Sequence, residues 1–406
     1  MPDVEYEPVS VKAVLSEMKD TAELLIDLSY SAVLSGSDEV AEEVLALEER
    51  MDVLQLQARM SLLLAARSPE DAEQLAPVLG VVGAAEKIAD ASGDIAKIVL
   101  EDIGLPEVMR AAIPEATEAL VRATVDADSA YAGRTLGEIN METERGVRVI
   151  AVRRASETGK RAWITNPDAE TRIDAGDVLL LRGLDEGLAA VYRDATGGAY
   201  EPPEPAAAPI DDLERAVDSI VTMKDTSELA VDLAYGSVLF DSEAVAEEVV
   251  ELEAEVDALK SRLEAWTLRA AGRVDDPVEL RGLVHLAAAT EVISDAALEI
   301  SEGVLRGLDA HPVVAAAVEE SDEVIVRLTV SEGAEIADRT LGELELGTET
   351  GCRVIAVRRP GDEQSWVVSP DADTRLSAGD VLVAKGTRAG AERLSEMAGD
   401  PREFDA

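Results

Sequence analysis

GVRVIAVRR fills positions 146–154 and GCRVIAVRR fills 351–359, so a nine-residue segment returns, with one change, after 205 residues. An apolar run entered from glycine and left through an arginine doublet reads as a strand. Its return predicts a duplicated chain. The offset holds far upstream, where MKDTAELLIDLSYSAVL (Met18–Leu34) reappears as MKDTSELAVDLAYGSVL (Met223–Leu239). Downstream it becomes 203, pairing WITNPDAETRIDAGDVLLL from Trp163 with WVVSPDADTRLSAGDVLVA from Trp366. The two missing residues fall between the doublet and the tryptophan. Length varies in loops, so that stretch is a hairpin connection.

Each copy changes its periodicity once. In the first half Val40, Val44, Leu47, Met51, Leu54 and Ala58 step by fours and threes, the seam of a packed helix. Three helices are predicted, over 10–35, 37–67 and 69–102, with N-cap residues in the GSD and SPED links. They form an antiparallel bundle. The second half is strand-like, in ALVRATV, RVIAV, AWIT and DVLLL, with one helix before the first strand and another near 135–139. GGAYEPPEPAAAP (197–209) is a linker by composition. The fold class is α + α/β, duplicated. The bundles cover 1–104 and 210–309, the α/β modules 105–196 and 310–398, and a tail 399–406.

The chain sets 84 acidic residues against 37 basic ones, a formal net charge of −47. Such a field excludes nucleic acid and anionic membrane surfaces as partners. Scarce lysine and aromatic residues with a carboxylate-rich surface resemble cytosolic proteins of salt-in halophiles. One cysteine, Cys352, rules out an internal disulfide and fits a reducing cytosol. No apolar run reaches the ~18 residues of a membrane span, so direct membrane insertion is not expected. Cys352 reads as a small core residue, and His285 and His311 align with Gly80 and Pro106, outside any repeated site. Nucleotide-loop, dinucleotide, zinc-protease and nucleophile-elbow motifs are absent.

Two sets of residues carry candidate chemistry. Glu48 with Asp52, and Glu86 with Asp90, stand four apart on the second and third helices; Glu253, Asp257, Glu291 and Asp295 repeat them. Carboxylates at that spacing share a helix face. Two pairs on adjacent helices offer oxygen ligands to a hard metal, and a solvated acidic surface is the alternative reading. Along RVIAVRR, strict alternation puts Arg148, Ile150, Val152 and Arg154 on one face, and Val149, Ala151 and Arg153 on the other. Arginines flanking apolar residues suit a ligand with phosphates and flat rings. The alternative is that they pair with surface carboxylates.

The helical half resembles the PhoU family, through AAEKIADASGDIA, ATEVISDAALEIS, LEERMDVL and LEAEVDAL. That resemblance implies a divalent or transition metal on the E-x-x-x-D faces. Val292 replaces the basic residue of the family pattern in the second copy. The second half resembles the C-terminal TrkA domain (TrkA-C) of regulators of K⁺ conductance, through RTLGEI, GVRVIAVRR, NPDAETRIDAGDVLLLRG and their repeats. It implies paired domains and cyclic di-AMP bound between them. The positions carried over are Arg148, Ile150, Asn166 and Pro167, with Arg353, Ile355, Ser369 and Pro370 in the second copy. Arg154 and Arg359 belong to the same candidate face. The fusion implies a cytosolic, non-enzymatic regulatory subunit that partners a membrane cation (potassium or magnesium) transporter or channel, as a homodimer or an intrachain pseudo-dimer; a PhoU-type metal-binding regulator of phosphate transport and a ligand-free structural adaptor are the alternatives.

Overall fold

The computed structural model describes residues 10–66, 68–106, 109, 119–141, 145–155, 161–164, 167, 169–183, 185–200, 210–307, 312–320, 323–344, 346–360, 366–368 and 370–400. Helices α1 (Val11–Ser35), α2 (Asp38–Ala65) and α3 (Pro69–Leu100) form the first bundle, within two residues of the predicted ends. Gly36 ends α1 in the left-handed region, at φ 62°. The Ser37 hydroxyl then accepts from the Val40 N–H and starts α2. That is ordinary end chemistry, in which a residue without a Cβ takes the positive φ and a short hydroxyl satisfies a free amide.

The first module contains β1 (Ala119–Thr124), β2 (Arg134–Thr135), α4 (Leu136–Ile139), β3 (Val147–Ala155), β4 (Arg161–Ile164), β5 (Arg172–Ile173), β6 (Val178–Gly183) and α5 (Asp185–Thr196). The second bundle is α6 (Asp211–Phe240), α7 (Glu243–Ala271) and α8 (Arg281–Leu305). The second module follows as α9 (Pro312–Glu320), β7 (Glu323–Thr329), α10 (Leu341–Leu344), α11 (Leu346–Thr350), β8 (Cys352–Arg358), β9 (Trp366–Val368), β10 (Val381–Thr387) and α12 (Arg388–Met397). Each module is an antiparallel sheet, in the order β1-β6-β3-β4 or β7-β10-β8-β9. The hairpin connection expected after the doublet is the β3–β4 pairing, with 156–160 outside the described residues. The helix expected before the first strand is α9 in the second copy; its counterpart in the first lies mostly outside the described residues.

The two bundles share one apolar core. Helix α3 packs along α8, and the buried residues of α1–α3 and α6–α8 form a continuous cluster. Each sheet presents one face to a small core of its own, closed by α5 or α12. The other face turns onto the bundles: Ala151 and Leu180, like Ile355, Ala356 and Val383, belong to the bundle core. The terminal helix of each module was not anticipated from the sequence. Among the described side chains of α5, Leu188, Val191 and Ala195 are the ones fully buried, a stripe too thin to show against polar neighbours.

The alternation expected along RVIAVRR is corrected. The β3–β6 register slips between Val149 and Ala151, leaving Ile150 as the extra residue of a β-bulge. Ile355 occupies the equivalent slip between Val354 and Ala356. Beyond the bulge every side chain changes face. Val147, Val149 and Val152 line the module's own core, whereas Ile150 and Ala151 pack toward the bundles. Arg153 and Arg154 consequently serve different partners.

Candidate functional site: the charged junction of sheets and bundles

Arg153 leaves β3 toward α2. Its Nη2 lies 2.6 Å from Glu43 Oε1, and Arg122 of β1 brings Nε to 3.2 Å from the same oxygen. Glu43 is 3% exposed, so a carboxylate removed from water is repaid by two guanidiniums. Glu248, Arg327 and Arg358 hold the equivalent positions in the second copy.

Arg154 turns the opposite way. It donates to Asp177 (Nη2–Oδ2 2.7 Å) and to the Arg172 carbonyl at 2.6 Å, while the Asp174 N–H donates to Asp177. Arg359 repeats this with Asp380 and the Arg375 carbonyl, and the Ser377 N–H donates to Asp380. Asp177 and Asp380 are the aspartates of the two AGD turns and are buried. The candidate ligand residues Arg154 and Arg359 are therefore occupied in bracing their own modules.

The other candidates separate by depth. Arg148 is half-buried and sits opposite Arg182 in the β3–β6 register, and Arg353 sits opposite Lys385. Arg353 reaches Asp232 of α6 at 3.4 Å with a side chain 66% exposed. Ile150 is half-buried against the bundle core, and Ile355, at 1% exposure, is sealed within it. Pro167 and Pro370 are half-buried; Asn166 and Ser369 lie outside the described residues.

Around these strands runs an ionic network that crosses between the halves. Lys385 contacts Asp232 of α6 at 2.5 Å and Glu23 of α1 at 3.3 Å. Arg182 pairs with Asp27 of α1. Lys19 pairs with Glu23 at 2.8 Å and lies 5.6 Å from the Tyr235 ring centre. Lys224 reciprocates, 2.6 Å from Glu228 and 5.8 Å from the Tyr30 ring centre. Each ammonium thus meets a carboxylate of its own helix and an aromatic face of the other half. Burial pushes Asp232 above the usual carboxylate range, against the pull of Lys385. Burial also works to raise Glu228, but Lys224 overrides it and holds that group low.

On the bundles the expected carboxylates gather, with additions. Burial and the neighbouring Asp90, Asp94 and Asp52 raise Glu48, against Lys97; burial with Asp52 and Asp94 raises Asp90. Asp94 and Lys97 were not singled out from the sequence, although Asp94 continues the four-residue spacing from Glu86 and Asp90. Lys97 lies 2.9 Å from Asp94 and 3.9 Å from Glu48. In the second bundle burial and Asp257, Asp295 and Glu291 raise Glu253, and Asp295 is raised likewise. Lys260 meets Glu291 at 2.5 Å, and Lys87 of the first bundle meets Glu299 of the second. The donor type fits a hard metal. Among the described residues no three carboxylate, imidazole or thiol groups converge to hold an ion, and ammonium groups already meet Glu48 and Glu291.

Comparison with known families accords with this division. The PhoU domain matches residues 15–99 and 220–304, and the TrkA-C domain matches 120–195 and 325–399. The chain is a tandem of two PhoU domains and two TrkA-C domains, both of them regulatory rather than catalytic families. No curated protein matches it. Among solved structures it is similar to PhoU from Pseudomonas aeruginosa, at 12% identity over 73% of this chain and 96% of that one, with a TM-score of 0.40. A GsuK channel bound to NAD aligns at 14% identity over 70% of this chain and 53% of that one, TM-score 0.19. The GsuK RCK domain aligns at 17% over 71% and 65%, TM-score 0.18. Overlays this loose place no residue. Among the described residues no helix is long and apolar enough to cross a membrane.

Proposed function

We propose that the chain is a cytosolic regulatory subunit of a cation transporter or channel, and that its TrkA-C modules sense a small anionic ligand such as cyclic di-AMP. The observation that carries this reading is the attachment of Arg353. Its side chain is 66% exposed, yet it bonds across the sheet–bundle junction to the carboxylate of Asp232. A phosphate approaching Arg353 competes with Asp232 for one guanidinium. Ligand binding and the seating of the sheet on α6 are then linked, which is the differential interaction a regulatory ligand requires. Ile355 belongs to the packed interface in this arrangement, so the ligand is read at the rim of the sheet.

Isothermal titration of cyclic di-AMP into the full chain in molar KCl tests the reading. Heat is expected with the native chain and a large loss of affinity with Arg353→Ala. Absence of heat and of any thermal shift removes the sensor. A second reading, metal-dependent regulation of phosphate transport, is favoured by the raised carboxylates of both bundles. Elemental analysis separates the two: metal retained through dialysis and lost in Glu48→Gln/Asp90→Asn supports the second.

A further inference from the structure

Helix α2 has one face too many. Its inner seam, from Val40 to Leu62, is consumed by the bundle. On the outer side Leu56 is 43% exposed, Leu63 72% and Leu64 65%, with half-buried Met60 between them. Positions 56, 60, 63 and 64 have the spacing of a second apolar stripe. The charge pattern changes at the same place. Acidic residues make up 84 of 406, yet the fourteen positions from Val53 to Ala66 contain none and a single charge, Arg59.

The second copy shows what this helix looks like when water covers it. Ser261, Ala265 and Arg269 stand at the positions of Leu56, Met60 and Leu64, among Lys260, Arg262 and Glu264. Its one aromatic ring, Trp266, is shielded by Arg215 and Arg269, whose guanidinium carbons lie 4.9 and 4.6 Å from the ring centre. Along the inner seams Val40, Ala41, Val44, Leu47 and Leu54 recur unchanged as Val245, Ala246, Val249, Leu252 and Leu259, whereas none of Leu56, Met60 and Leu64 is kept on the outside.

We infer that the outer stripe of α2 is the contact through which a second copy of this chain binds. A basic partner is drawn to the acidic remainder of the surface and gains least here. A second copy carries the same charge of −47 and meets least repulsion where both surfaces lack carboxylates. The stripe is also self-complementary in reverse. An antiparallel pair centred on Met60 sets each Leu56 against the other copy's Leu64, within the stretch that holds no carboxylate. That is the same patch meeting itself about a two-fold axis.

Light scattering coupled to size exclusion, on the full chain in molar KCl at about 100 µM, where a dimer of micromolar Kd is populated, tests this. The native chain is expected at twice its 43.0 kDa mass. Leu63→Glu/Leu64→Glu is expected at 43.0 kDa with unchanged circular dichroism and melting, because both side chains already face water. Leu268→Glu, the exposed counterpart in the second copy, is expected to remain a dimer. A monomeric native chain overturns the proposal and leaves the stripe to another partner. A double variant that stays dimeric overturns it too, by placing the contact elsewhere.

Discussion

Replacing Glu43 with glutamine tests how sheet and bundle are joined. The exchange keeps the shape and one acceptor but leaves Arg122 and Arg153, with side chains 19% and 14% exposed, facing a neutral amide. Removing one member of a buried ion cluster costs about 3–5 kcal/mol, because the remaining charge stays desolvated. Arg122 retains Glu39 at 3.0 Å, an exposed partner, so the lower end applies, about 3 kcal/mol. For an unfolding unit of 150–250 residues that lowers Tm by about 6–12 °C. The Debye length in molar salt is about 3 Å, but a pair with little water between its members is screened much less, so the loss persists in concentrated KCl. Glu302→Gln is the control, since its partner Arg306 stands in open water and such pairs are worth about 0–1 kcal/mol. Differential scanning calorimetry of both variants decides the matter. A Glu43→Gln loss no larger than that of Glu302→Gln would refute the idea that this junction is clamped by charge.

Three further outcomes are expected. Asp177→Ala frees Arg154 and the Asp174 N–H together, costing about 3 kcal/mol, and hydrogen exchange should accelerate first at the end of β3. Gly187→Ala drives a Cβ into the Arg145 carbonyl oxygen, backbone that cannot swing aside, so the first module should lose about 2 kcal/mol or more by urea denaturation. Glu48, Asp90, Glu253 and Asp295 have folded values above their unfolded ones, so the folded chain holds their protons more tightly. Their contribution is full at low pH and is lost as pH rises through the folded values. Glu48→Gln/Asp90→Asn should accordingly raise Tm at pH 7 and flatten its dependence between neutrality and the upper carboxylate range; an unchanged slope would count against it.

The bundle helices were legible because each repeats its apolar step over many turns. The strands and their order in the chain were legible for a similar reason. What escaped was single-residue geometry and long-range pairing. The apolar run Val149–Val152 looks the same whether or not Ile150 is an extra residue, yet that choice decides whether Arg153 or Arg154 faces the bundle. Glu43 and Arg153 are 110 positions apart, and no local pattern joins them. The carboxylate faces were found through their four-residue spacing, but the contacts of Lys97 with Glu48 and of Lys260 with Glu291 arise only where neighbouring helices meet.

Lys19 rests against Tyr235, and Lys224 rests against Tyr30. Each half therefore lacks something that only the other supplies, as would two separate molecules of a single ancestral half. Tethering them turns an encounter that depends on dilution into a permanent one, at the effective concentration set by the linker. It also releases the halves from having to remain interchangeable. An assembly of identical halves would show every surface change twice. This one shows Leu63 with Leu64 on one side and Leu268 with Arg269 on the other, so it has a front and a back.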